Sequence, residues 1–489
     1  MNVSLLYYNN VRIVVDIERW EMCCMNWKEK AFQLKESFSK DTMKFLAIPS
    51  VLNEEKKEQG SPFGPEIKRA MDFLLDLAET DGMKTKNVDG YAAHIEYGQG
   101  EESIGILCHV DVVPAGDGWT TPPFEPVVRS GKMYARGAID DKGPTMAAYY
   151  ALKLVKDSKL PLSKRVRLII GGDEESDWRC VQHYFKHEEM PVMGFAPDAD
   201  FPIIHAEKGI SDVMYQQKVN SMERVDYTLQ TFSSGVRLNM VPDEAKAVVS
   251  GEHVAILFEK FSSFLKEHPI SGHAELENDK VTLFVKGESA HAMEPNNGKN
   301  AGLYLVHFLS VFSFDHHAKH FLTFLDDYFF LDSRGKKAGV QMKDDISGDL
   351  TVNVGVIRFS DQTGGKFGVN LRYPVTKKSD ALHQNLETLA QKNGFSYIVK
   401  EDSKPHYVEE KHPLIQTLQK VYEKQTGKKG ELLSIGGGTY ARALDAGVAF
   451  GPLFPGRNEV AHQKDEYVYI DDLLLAIAIY AEAIYELAK

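Results

Sequence analysis

Residues 103–108 (SIGILC), 143–157 (GPTMAAYYALKLVKD) and 165–171 (RVRLIIG) read as a strand, a helix and a strand in series. Short, continuous apolar strands that alternate with helices are the signature of an α/β layer built on a largely parallel sheet, because such strands are covered on both faces. The same alternation begins earlier, with an amphipathic helix over 66–78. It returns after about 405, with a helix over 413–425, a strand over 447–451 and a closing helix over 470–487. Between these blocks the character changes. Strands near 212–219, 281–286, 350–358 and 366–374 are interleaved with helices over 255–267, 299–311 and 379–392, an α+β pattern. The reading is therefore an α/β domain with a mostly parallel sheet and helices on both faces, interrupted by an inserted α+β domain. Its first part is 25–207, the insert 208–405 and its second part 406–489. Residues 1–24 read as an N-terminal extension, because Met25 precedes the first clear amphipathic helix (Trp27, Ala31, Leu34, Phe38).

The chain has 489 residues and a net charge of −13, which disfavours nucleic acid and anionic membrane surfaces as partners. No run approaches 18 apolar residues, so no transmembrane helix is expected. The four cysteines (Cys23, Cys24, Cys108, Cys180) form neither a disulfide framework nor a CxxC metal pattern, and the expected compartment is the reducing cytoplasm.

Chemistry concentrates at the ends of the apolar strands. His109-Val-Asp111 follows the first, and residues two apart on a strand share a face. Asp140-Asp141 precedes the helix over 143–157, Asp173-Glu174-Glu175 follows the strand over 165–171, Asp198 closes the first block, and His462 lies late in the chain. Each has an ordinary structural alternative: a strand-end hydrogen bond for His109, a helix cap for Asp141, a solvated turn for the acidic triplet. Taken together, His109, Asp140, Glu175, Asp198 and His462 offer two imidazoles and three carboxylates. A shared carboxylate can bridge two divalent ions ~3.5–4 Å apart, and N/O ligands without thiolate suit zinc, manganese or cobalt. Glu174 is left to act as a general base. An acidic strand end also occurs in ATPases, but the phosphate loop this requires is missing: Gly298-Lys299-Asn300 has neither the Ser/Thr nor the upstream glycine.

Ile106–Pro114, Gly137–Gly143, Asp173–Ser176 and the late His462 resemble the motifs of the di-metal aminoacylase, carboxypeptidase and dipeptidase superfamily. Pro197–Gly209 and Asn370–Pro374 are similar to the bacterial peptidase V dipeptidases, a resemblance that spans about 27–489. It implies that Asp140 bridges two divalent ions, zinc foremost. His109 and Asp198 would complete one site, and Glu175 and His462 the other. Asp111 would orient His109 and Glu174 would shuttle the proton. The insert would be a lid in which Asn239 and His291 polarise the substrate carbonyl and Arg372 grips the terminal carboxylate. Gly436–Thr439 would line the pocket or form a plain turn. The resemblance further implies a cis Asp140–Asp141 bond, a dipeptide substrate and a monomer, because a duplicated lid replaces a dimer partner. The alternative within the superfamily is an N-acyl-amino-acid deacylase. Two features depart from the pattern: Gly172 stands where threonine is common, and residues 1–24 have no counterpart.

Overall fold

The computed structural model describes residues 3–8, 11–16, 25–218 and 226–489. They form two compact units. The first takes in the described residues up to His205 together with Val408–Leu433 and Thr439–Lys489; the second is Ala206–Tyr407 with Ser434–Gly438.

The first unit is a mixed α/β layer. At its centre four parallel strands lie in the order β4 (Gly447–Ala449), β3 (Met193–Ala196), β1 (Ser103–His109) and β2 (Arg165–Gly171). Antiparallel strands flank them: Ile203–Glu207 beside β4, then Ala92–Gly98 and Lys84–Val88 beyond β2. These last two strands are absent from the sequence reading for a physical reason. Lys84–Val88 is a polar, mostly exposed edge. Ala92–Gly98 buries two polar residues, His94 and Glu96, which find partners in Tyr184 and in Arg165 and Arg167.

Helices α1 (Pro65–Thr80), α2 (Lys142–Ser158), α3 (Arg179–His187) and α4 (Ile470–Ala488) pack around this sheet. Apart from its last residues α2 is buried on all sides, and α4 is buried over most of its length, as a helix that is apolar all round must be. The amphipathic segment after Met25 breaks at Leu34 into Trp27–Gln33 and Lys35–Leu46. Of the extension, Val3–Tyr8 and Val11–Asp16 pair antiparallel; the rest of 1–24, including Cys23 and Cys24, lies outside the described residues.

The second unit holds an eight-stranded antiparallel sheet. Its order is Ser271–Glu277, Lys280–Lys286, Glu244–Gly251, Tyr227–Ser234, Thr351–Ser360, Gly364–Tyr373, Gly209–Gln217 and Phe395–Ser403. Burial alternates along Gly209–Gln217 and along Lys280–Lys286, where Val281, Leu283 and Val285 are buried, so one face is covered there, while Gly364–Tyr373 is buried along almost its whole length. Helix residues such as Leu257, Phe261, Leu305, Phe321 and Leu386 join that face in one core. The insert therefore has more strands than the sequence reading lists, and a further helix, His316–Phe329. Among the described residues no helix is long and apolar enough to cross a membrane.

Candidate metal centre

The site stands at the C-terminal ends of the central parallel strands. His109 ends β1 opposite Gly171 at the end of β2, and Val110 N–H donates to the Gly171 carbonyl at 3.0 Å. The two chains therefore emerge side by side, one carrying His109 and Asp111, the other Asp173–Glu175. Asp111 ties them together: its two carboxylate oxygens accept from the backbone N–H groups of Glu174 (3.1 Å) and Glu175 (3.0 Å). The Asp111 carbonyl lies 3.0 Å from His109 Nδ1, and its carboxylate 3.4 Å. A proton on Nδ1 therefore has an acceptor, and Nε2 is left with its lone pair facing inward.

Around that lone pair the sequence-predicted ligands converge. His109 Nε2 is 3.1 Å from Asp140 Oδ1 and 3.7 Å from Asp198 Oδ1. The other Asp140 oxygen is 3.0 Å from His462 Nε2, which is 3.1 Å from Glu175 Oε1. Asp140 thus presents one oxygen to each imidazole. Ligand atoms of His109, Glu174 and Asp198 lie within 4.8 Å of one another, and so do those of Asp140, Glu175 and His462. Glu174 falls inside the first group, a placement the sequence reading did not anticipate.

The electrostatics suit a cation. His109 Nε2 is fully buried and makes no aligned hydrogen bond, although two carboxylates are near; ligands aimed at a common point, rather than at each other, leave such an atom. Burial pushes Glu174 well above the usual carboxylate range, with the charges of Asp198, Glu175 and Asp140 adding to it. Burial likewise raises Glu175, and takes Asp198 up to about 6 with help from Asp140. Burial alone would lower His109, but Asp111, Asp140 and Asp198 lift it well above its ordinary value. Asp140 and Glu175 lift His462 to about 10. Buried carboxylates that repel one another, beside imidazoles drawn towards protonation, show a cavity short of positive charge. Divalent ions would supply it, and the N/O donor set fits two.

Sequence reasoning missed what holds Asp140. Glu466, fully buried, accepts from the backbone N–H groups of Gly137 (3.1 Å), Ile139 (2.9 Å) and Asp140 (3.3 Å), and its charge pairs with buried Arg136 at 2.6 Å. The signal was present as a glutamate four residues after His462 and an arginine four before Asp140, but only the fold joins them. Asp141 turns away from the cluster and accepts from His109 N–H and the Thr145 hydroxyl. The Asp140–Asp141 peptide bond is cis. Gly172 has a crowded setting: a Cβ there would stand 2.4 Å from the terminal methyl of Met71 and 2.9 Å from Ile67, so threonine would require these side chains of helix α1 to shift.

The second unit carries the other three predicted residues. The Asn239 carbonyl accepts from Ala292 N–H at 2.9 Å, and Met240 bridges to His291. Asn353 Nδ2 donates to the Leu238 and Met240 carbonyls on either side of Asn239, at 2.8 and 2.9 Å. His291 Nδ1 accepts from Met293 N–H (3.1 Å), so a neutral ring carries its proton on Nε2, as a donor. Burial of part of the ring and the Arg372 charge hold His291 below its ordinary pKa and favour that neutral form. Arg372 is almost fully buried. Its Nε donates to Asn370 Oδ1 (2.7 Å) and its Nη1 to the Gly436 carbonyl (3.1 Å), which gives Gly436 a place in this arrangement.

Comparison with known proteins identifies the class. Peptidase family M20/M25/M40 matches residues 105–486, and the chain belongs to it. It is a peptide-bond hydrolase of that family. A Bacillus subtilis protein named "Putative dipeptidase YtjP" is 55% identical over 467 residues, covering 95% of this chain and all of its own length. "Putative dipeptidase SSP1012" of Staphylococcus saprophyticus is 44% identical, covering 94% of this chain and 99% of its own. Among solved structures, the aminoacylhistidine dipeptidase of Vibrio alginolyticus shares the fold, with a TM-score of 0.58 at 13% identity over 92% of this chain and 96% of its own.

Proposed function

We propose that the chain is a two-metal dipeptidase. The observation that carries this reading is Asp140, with one carboxylate oxygen 3.1 Å from His109 and the other 3.0 Å from His462. His109 and Asp198 would hold one ion and Glu175 and His462 the other, with Asp140 shared. Zinc suits the donors best, and manganese or cobalt would also be accepted. When bound, the ions supply Lewis acidity and lower the pKa of water.

The chain's own residues supply the remaining chemistry. Glu174 takes a proton from the attacking water and returns it to the leaving amine; burial raises its pKa, which suits it to hold that proton between the two transfers. Asp111 positions both His109 and the Glu174–Glu175 backbone. To Asn239 and His291 we assign hydrogen bonds to the developing oxyanion, each contributing ~2.7–4 kcal/mol. Arg372 forks onto the C-terminal carboxylate of the peptide, a planar task for which guanidinium is suited.

The names of the relatives support dipeptides as substrates. A panel of free dipeptides, their N-acetyl forms and tripeptides, assayed with zinc, manganese or cobalt and after chelation, tests the reading. Metal-dependent hydrolysis of free dipeptides is expected. Preference for N-acyl amino acids would instead make the chain a deacylase.

A further inference from the structure

A second constellation of metal-ligating side chains stands in the first unit, apart from the centre described above. Helix α3 carries His183 and His187, four residues apart and so on one helical face, with ring centroids 4.3 Å apart. Facing them is Asp89, at the tight turn that joins Lys84–Val88 to Ala92–Gly98, in left-handed backbone (φ 54°). Ligand atoms of the three residues lie within 4.8 Å of one another, as in the two groups at the strand ends.

Both rings are held in place by their neighbours. His183 stacks on Tyr91 at 4.2 Å and 19°, and Tyr91 is itself braced edge-on by Phe63. The His183 Nε2 is 2.8 Å from Asp89 Oδ2. That contact is a hydrogen bond in which Nε2–H donates to the carboxylate; two ligands that share one ion at ~2.0–2.1 Å also sit about 3 Å apart, so an ion would replace that proton with little movement of the pair. His187 Nδ1 lies 2.9 Å from the His183 carbonyl. A carbonyl can only accept, so Nδ1 carries the proton and Nε2 keeps its lone pair, the tautomer a metal requires. His316 and His320 share the same four-residue spacing with stacked rings, but among the described residues no acidic group joins them in such a cluster.

We infer that Asp89, His183 and His187 form a further transition-metal site, separate from the catalytic pair. Two imidazoles and one carboxylate suit zinc, cobalt, nickel or copper, with water completing the shell. Asp89 and His187 are exposed, so the ion enters from solvent and exchanges freely. Bound there, it clips α3 to the turn at Asp89. The same helix grips the acidic strand end, since Arg179 binds the Asp173 carboxylate from the helix's first turn.

Equilibrium dialysis of the full chain against zinc, followed by elemental analysis, tests this. His187→Ala and Asp89→Ala should each hold one equivalent less than the unmutated protein, with dipeptide turnover unchanged. Because the readout is a difference, it stands whatever number the strand-end centre holds. His320→Ala should match the unmutated protein. Equal zinc in the His187→Ala variant and the unmutated protein would overturn the inference. So would loss of the same equivalent in His320→Ala, which would place the ion elsewhere.

Discussion

Removing the Glu466 carboxylate should damage stability and activity by separable amounts. Glu466 and Arg136 are both buried and paired at 2.6 Å, so truncating one leaves the other as an uncompensated charge. Breaking such a pair typically costs ~3–5 kcal/mol, against ~5–15 kcal/mol for the whole stability of a domain. Glu466→Ala also strands the N–H groups of Gly137, Ile139 and Asp140, which set the path of the chain through Asp140. Urea unfolding should therefore shift by about 3–5 kcal/mol, followed by fluorescence, for which Trp119 over the Arg136 guanidinium is a local reporter. The double variant Arg136→Met with Glu466→Leu removes both charges, so its loss should fall at least ~1 kcal/mol short of the sum of the single losses. It should nonetheless stay as inactive as Glu466→Ala, because the three amides still lack their acceptor. A Glu466→Ala protein within about 1 kcal/mol of the unmutated one and fully active would show that Glu466 does not hold Asp140 in place.

Two further outcomes follow from the geometry. Buried His94 accepts from or donates to the Tyr184 hydroxyl at 2.8 Å, and burial, helped by the Arg167 charge and opposed by Glu188 and Glu96, lowers its pKa to about 4. Its neutral form belongs to the fold, so stability present above pH 6.5 should be lost as pH falls towards 4, by up to about 3 kcal/mol; His94→Gln should flatten that part of a urea-midpoint against pH curve. Arg372→Ala should cut kcat/KM on a free dipeptide by roughly 10–150-fold, as for loss of one charge-assisted hydrogen bond worth ~1.5–3 kcal/mol. Amidating the dipeptide should cost the unmutated enzyme a similar factor, and the two losses should not multiply; fully multiplicative losses would return Arg372 to a structural role.

The parts legible in sequence are those governed by local pattern. SIGILC and RVRLIIG became the parallel neighbours β1 and β2, because strands covered on both faces need unbroken apolar runs. His109, Glu175 and Asp198 lay at or just after the ends of such strands, Asp140 before a helix and His462 in a loop, and the fold brings all five expected ligands to one cluster. What escaped depends on partners distant in sequence. The strand Ala92–Gly98 looked too polar, since the partners that neutralise His94 and Glu96 lie about 70–90 residues on. Tyr227–Ser234, Glu244–Gly251 and Ser271–Glu277 carry too few apolar residues to stand out singly, and become strands by pairing in one sheet. Glu466 reads as one acid among many until it meets Gly137 and Ile139 across more than 320 residues. Glu174 is the instructive case: its neighbour relation to Glu175 suggested divergent roles, yet its oxygen also lies within the His109 group.

That ambiguity makes the Glu174–Glu175 pair the sharpest test of the two-metal site. Metal content by elemental analysis and dipeptide turnover should be measured on the same preparations of the unmutated protein, Glu174→Ala and Glu175→Ala. Glu174→Ala should keep the full complement of ions while turnover falls by ~10²–10⁴ or more, as for loss of a general base. Glu175→Ala should lose one ion and its activity together. If Glu174→Ala instead lost an ion while Glu175→Ala kept both, Glu174 would be a ligand, and the division between base and metal site proposed here would be contradicted.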